Sequence, residues 1–339
     1  MRGFMKGAAA VLGSFLILGT AVYGYFWYAP APDLPPLSAV AEQSTVRIGD
    51  RERSYLAYVP ANVPPRSPLV IGLHGSAMDG ATMRRWTGYE FDRLADRDGF
   101  VVLYPDGYNK NWNDCRRNAT YPARLENVDD IGFVRFLIER LISEEGVDPR
   151  KVFVFGYSSG GQMAHRLAVE TPDMVAAVAT AGANLPTPDN SLCPLEGRTT
   201  RVMLVSGTDD PIVPFHGGEV SLFGFASRGM ALSALATGTE LARRNGITAG
   251  PNVTRLPSQS PGDPTSVERL VWSQGGKPAV TLYVVHGGGH VVPQPAFRFP
   301  RMLGRTTGNL NAPAEALTFF RLGRADAQTA SGSGCEGNC

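Results

Sequence analysis

Residues 152–170 read VFVFGYSSGGQMAHRLAVE. The first four, Val152 to Phe155, form a continuous apolar run of the kind a strand buried on both faces requires. From Gln162 to Glu170 the apolar positions fit a helix instead. Between the two lies Gly156-Tyr157-Ser158-Ser159-Gly160, a G-x-S-x-G string. In a chain with 39 glycines the string alone is a weak signal. Its setting strengthens it, because a strand running through a sharp turn into a helix is what a nucleophile elbow needs. The glycines leave room in the turn, which lifts Ser158 Oγ into the open and points the Ser159 N–H at a reacting carbonyl. Ser158 is therefore the candidate nucleophile, and Ser159 a candidate oxyanion donor.

Working outward, short Val-rich runs recur at Leu69–Leu73, Val101–Tyr104, Val175–Ala179, Val202–Val205 and Val280–Val285, with an alternating, surface-type strand at Ser54–Val59. Helical patterns separate them at Met83–Arg97, Ile131–Ile142, Met230–Arg244 and Ala314–Leu322. Asp129 and Asp130 precede the second of these, where acidic side chains suit the helix dipole. Such alternation predicts an α/β fold, a doubly wound and mostly parallel sheet with sites at the carboxyl ends of its strands.

A serine is a poor nucleophile until a base takes its proton. The elbow architecture expects the order serine, acid, histidine along the chain. Asp209 and Asp210 follow one strand end in RVMLVSGTDDPIVPFHGG, and His286 and His290 follow the last strand in VTLYVVHGGGHVVP. Asp210 is preferred because Pro211 ends the turn directly after it, although spacing alone leaves Asp209 open. His290 is preferred because it ends the Gly287-Gly288-Gly289 loop, whereas His286 adjoins the strand. The two histidines lack the helix and the adjacent acidic ligand that a metal pair wants, so no metal is expected. A second oxyanion N–H is expected from the loop after LVIGL, with Ser76 in His74-Gly75-Ser76 as the candidate. Trp112 is a candidate lining residue of the substrate pocket. His165 and His216 are expected to be structural or exposed.

The chain has 339 residues, and hydrophobic residues at 43% against 19% charged ones support a sizeable core. Lys plus Arg total 32 against 31 for Asp plus Glu, which excludes the basic footprint of a nucleic-acid binder. Four cysteines form no CxxC pair; Cys115 and Cys193 can pair in an oxidising compartment, with three connectivities open overall. Gly7 to Tyr28 carry no charge, follow Arg2 and Lys6, and end in a cluster of aromatics. That pattern predicts an uncleaved membrane anchor, with a cleaved signal peptide as the alternative; both export the rest of the chain. The expected organisation is an anchor or signal at 1–28, a Pro-rich spacer at 29–44, one catalytic domain at 45–324 and a small, polar tail at 325–339.

Several segments in order, PLVIGLHGSAMDG, GFVVLYPDGYNKNWNDCR, NVDDIGFVRFLI, the elbow region, SGTDDPIVPFHGG and GGGHVVP, resemble the polyhydroxybutyrate depolymerase and feruloyl esterase-like family of α/β-hydrolases. The YPDG…WND, VDD-x-GF and GTxDxxVP elements are far more specific than the elbow. The resemblance implies a serine esterase with Ser158, Asp210 and His290 in their usual roles, needing no cofactor, and it favours Asp210 over Asp209. A serine peptidase of the same fold, or an inactive surface-anchored binding protein, are the competing readings. Only a short tail follows the last helical pattern, where polymer depolymerases of this kind append a binding module. Small or oligomeric esters are therefore expected as substrates, with the membrane met only through the N-terminal segment.

Overall fold

The computed structural model describes residues 19–20 and 22–321. Its strands are β1 (Glu42–Ile48), β2 (Arg51–Tyr58), β3 (Leu69–Leu73), β4 (Val101–Pro105), β5 (Val152–Tyr157), β6 (Ala177–Ala181), β7 (Arg201–Gly207), β8 (Gly218–Glu219), β9 (Met230–Ala231), β10 (Asn252–Arg255), β11 (Ser266–Trp272) and β12 (Val280–His286). The α-helices are α1 (Gly80–Trp86), α2 (Glu90–Asp98), α3 (Pro122–Leu125), α4 (Asp130–Glu145), α5 (Ser159–Glu170), α6 (Ala234–Arg244) and α7 (Ala312–Phe320).

Ten strands form one sheet in the order β1-β2-β4-β3-β5-β6-β7-β12-β11-β10. The middle, from β4 to β12, is parallel, and the edges are antiparallel. The Val-rich runs are buried on both faces because helices cover both sides. Leu69, Ile71 and Leu73 of β3 face a core built with α4, α5 and α6, while Val70 faces one built with α2 and α7. The sequence-predicted α/β-hydrolase architecture is thus the observed one.

The differences have local causes. The helix expected over Met83–Arg97 is two helices, α1 and α2, because Gly88 and Tyr89 take φ of 68° and 57° and turn the chain between them. Gly88 marks the break in the sequence, and Tyr89 takes the second left-handed position without being glycine. β6 lies two residues later than expected, and Met230–Ala231 pairs with β8 as a short ribbon before α6 begins. β10 and β11 escaped notice because β10 is exposed along its whole length and β11 buries only Val267, Leu270 and Trp272, so neither forms a continuous apolar run. The spacer docks rather than hangs free at its end: Leu37, Ala39 and Ala41 pack on the core, Ser38 donates to Asp96 Oδ1 at 2.5 Å, and β1 already starts at Glu42. Among the described residues no helix is long and apolar enough to cross a membrane. Most of the proposed anchor, and the tail with Cys335 and Cys339, lie outside the described residues.

Candidate active site

Ser158 sits between β5 and α5 at φ 53° and ψ −115°. A non-glycine residue at positive φ costs roughly 1–3 kcal/mol, so the surroundings must enforce it. Its N–H donates to Ala181 O at 2.8 Å, and its carbonyl accepts from Gln162 N–H at 3.0 Å. The flanking glycines leave no room for a side chain. A Cβ on Gly156 would approach the Gly160 carbonyl oxygen to 2.3 Å, and one on Gly160 would approach Leu73 O to 2.1 Å. The motif therefore packs the elbow against β3 and against its own helix.

β5 and β7 flank β6, β12 pairs directly with β7, and the carboxyl ends of β5, β7 and β12 bring three side chains together. His290 Nε2 is 2.9 Å from Ser158 Oγ, and His290 Nδ1 is 2.8 Å from Asp210 Oδ2. The other carboxylate oxygen of Asp210 accepts from the N–H groups of Ile212 and Val213, both at 2.8 Å. Both side chains are almost fully buried. With Oδ2 as the acceptor, Asp210 orients Nδ1–H of the imidazole toward itself, which leaves the Nε2 lone pair facing the serine hydroxyl. The Tyr157 hydroxyl donates to His290 O at 2.9 Å and braces the loop. Burial and the nearby Asp210 raise the Tyr157 pKa well above that of a free phenol, so it remains a donor. Asp209, by contrast, is exposed and meets Thr208, and His286 lies 3.2 Å from Glu268, turned away from the serine.

Ser76 lies with Gly75, Met78, Trp86, Ser158 and His290 on one cleft of about 330 Å³. The Ala77 N–H goes to Lys110 O at 2.9 Å and the Met78 N–H to Gly75 O at 3.3 Å, while no acceptor among the described residues takes the Ser76 N–H. The Ser159 N–H belongs to the first turn of α5, where helices leave N–H groups without internal acceptors.

His74, not singled out in the sequence, holds this loop. Its Nδ1 donates to Gly75 O and its Nε2 accepts from Gly107 N–H, each at 2.8 Å. Full burial pushes its pKa down to about 4, so the ring stays neutral and keeps that accepting lone pair. Trp112 is a correction. It is fully buried, donates Nε1–H to His74 O at 2.9 Å and packs beside that ring, away from the cleft. The indole that does line the cleft is Trp86, which packs against Phe297 and Phe299. No sequence signal separated the two tryptophans, since burial depends on partners distant in the chain.

A disulfide joins Cys115 to Cys193. With Glu170 these are the one described grouping of metal-ligand types, but both thiols are spent in the bond. A larger groove of about 640 Å³ runs past this disulfide, between α5 and α6, and contains neither Ser158 nor His290. His165 faces that groove, buried and bonded to Ala183 O at 3.1 Å, with its pKa lowered by burial to about 4.

Comparison with known proteins agrees with the fold. Residues 53–188 match the family model described as "Esterase PHB depolymerase". The protein described as "Putative esterase NocK" from Nocardia uniformis subsp. tsuyamanensis is 29% identical over 307 residues, covering 86% of each chain. Feruloyl esterase B of Piromyces equi is 27% identical over 66% of this chain, which spans only 39% of that protein's length. Among solved structures, acetyl xylan esterase from Aspergillus awamori superposes with a TM-score of 0.54 at 17% identity, over 83% of this chain and 100% of its own, a likeness of fold. Residues 53–188 are thus similar to the esterase PHB depolymerase model, and the chain is a carboxylic ester hydrolase of the α/β-hydrolase fold.

Proposed function

We propose that the chain is an exported serine esterase working through an acyl-enzyme on Ser158. His290 Nε2 takes the hydroxyl proton as Ser158 Oγ attacks the ester carbonyl carbon. The developing oxyanion is received by the Ser76 and Ser159 N–H groups. Asp210 holds the imidazole in the accepting tautomer and stabilises its charged form. His290 then protonates the leaving alcohol, and water repeats the attack and releases the acid. The observation carrying this reading is the continuous chain from Ser158 Oγ to His290 at 2.9 Å and on to Asp210 at 2.8 Å, beside a strained elbow.

Short acyl esters, hydroxyacid oligomers and feruloylated oligosaccharides are the substrate classes that fit. Export is supported by the apolar stretch after Arg2 and Lys6 and by the Cys115–Cys193 bond, since disulfides persist in oxidising compartments. A fluorophosphonate probe tests the nucleophile: labelling is expected on Ser158 and lost in Ser158→Ala. A chain that stays unlabelled while correctly folded is a binding protein and not this esterase.

A further inference from the structure

The residues lining the Ser158 cleft include two guanidiniums, Arg116 and Arg228, and the imidazole of His290, but no Asp or Glu. The two arginines are not equivalent. Arg116 is buried in an ion pair with Asp114, 2.6 Å from Nη2, and also donates to the Tyr121 hydroxyl at 2.8 Å. Asp114 is consumed there, accepting from Arg116 and from Tyr121 as well. Arg228 has no such counterion: among the described residues, no carboxylate lies within ion-pair distance of it.

Arg228 is nonetheless a built feature. Its N–H donates to Val220 O at 2.7 Å, and its carbonyl accepts from Asn190 Nδ2 at 2.9 Å. Its guanidinium lies over the Tyr121 ring, 4.9 Å from the centroid. Partial burial lowers its pKa from the ordinary value, and Arg116 adds repulsion, while Tyr121 and the Asp114 carboxylate already paired to Arg116 offset part of this. Arg228 is thus a cation held by its backbone and an aromatic face, half out of water, whose nearby carboxylate, Asp114, is already engaged by Arg116. The first turn of α5 adds its positive end to the same cleft. Guanidinium geometry matches a carboxylate in particular.

We propose that Arg228 is a specificity residue that receives a carboxylate carried by the substrate, so that this site selects esters with a free carboxyl group. This rests on the reading of Ser158 as the nucleophile and narrows its substrates. Hydroxyacid oligomers and dicarboxylate hemiesters carry such a group; acetylated or feruloylated neutral sugars do not. Neighbouring Leu222 and Ala226 leave the rest of that wall apolar, which suits a short aliphatic spacer between ester and carboxylate.

Two matched pairs test it on the full chain. The first is p-nitrophenyl hemiadipate against p-nitrophenyl hexanoate, with the carboxylate on the acyl side. The second is the free-acid dimer of 3-hydroxybutyrate against its methyl ester, with the carboxylate on the alcohol side. The expected result is a preference of about 10-fold or more in kcat/KM for the charged member of at least one pair, the size of one charge-assisted hydrogen bond. The preference should sit mainly in KM, shrink with added salt, fall toward unity in Arg228→Met and survive only in part in Arg228→Lys, which keeps the charge but not the fork geometry. A ratio near unity in both pairs for the unmodified chain overturns the proposal, whatever the variants do. So does a preference that persists in Arg228→Met. If no ester of either kind is turned over, the Ser158 reading fails instead. Calorimetric binding of the free-acid dimer to Ser158→Ala, with and without Arg228→Met, then decides the anion site alone. Equal affinity of the two overturns it, and a loss of about 10-fold upholds it.

Discussion

Asp209 and Asp210 are adjacent in sequence yet chemically unrelated. One faces solvent and Thr208, while the other is buried against His290 and two backbone N–H groups. Asp210→Asn removes the acceptor for Nδ1–H, and kcat should fall by up to about 10⁴ through the wrong tautomer. Asp209→Asn should leave kcat within a few-fold; a larger loss from Asp209 than from Asp210 would reassign the acid. That Ser158, Asp210 and His290 come together was legible from chain order and strand ends, although those signals alone left Asp209 open beside Asp210. His74 was not, because its role depends on Gly107, which lies 33 residues away in sequence. The motifs that resembled a family most specifically are largely architectural. Asp130 is buried in an ion pair with Arg53 at 2.7 Å and accepts from Asn113 N–H at 2.6 Å. Asp106 ties Ser54 of β2 and the Gly80 N–H together.

Elements are held near the cleft by loops more than by helices. The loop carrying Trp112 and Arg116 reaches the segment before β7 through the Cys115–Cys193 bond, across a sequence separation of 78. Closing a loop of that length in the unfolded chain is worth about 4 kcal/mol. Cys115→Ser should therefore lower unfolding free energy by up to that amount, read as an earlier denaturant midpoint. The same shift should follow reductant in the unmodified chain and be absent from Cys115→Ser. No response to reductant would mean the bond contributes nothing. The buried strands were readable since continuous Val-rich runs have few other uses. The break between α1 and α2 was missed although Gly88 signals it, because an isolated glycine is tolerated inside a helical pattern and Tyr89 gives no further sign of the left-handed turn. The pairing of Cys115 with Cys193 was open among three connectivities until the fold brought their loops together.

Across the whole molecule, two buried neutral histidines link stability to pH. His74 and His165 are both held at about 4, against an ordinary value of 6.5. Between those values the unfolded chain binds more protons than the folded one, so stability rises with pH. The contribution is fully present above about 6.5 and is lost as pH falls toward about 4, with an upper figure near 2 kcal/mol per histidine at pH 5. Urea midpoints should drop from pH 7 to pH 5, and His165→Gln should flatten that dependence. An unchanged slope in the variant would show that His165 does not contribute.

The proposed catalysis turns on a covalent bond to Ser158. Rapid quenching of the chain during turnover of p-nitrophenyl acetate, followed by peptide mass mapping, tests it directly. One acetyl group is predicted on the peptide containing Ser158, absent from Ser158→Ala, whose turnover should fall to background. Steady hydrolysis with no acyl group on that peptide, or undiminished turnover by Ser158→Ala, would contradict it.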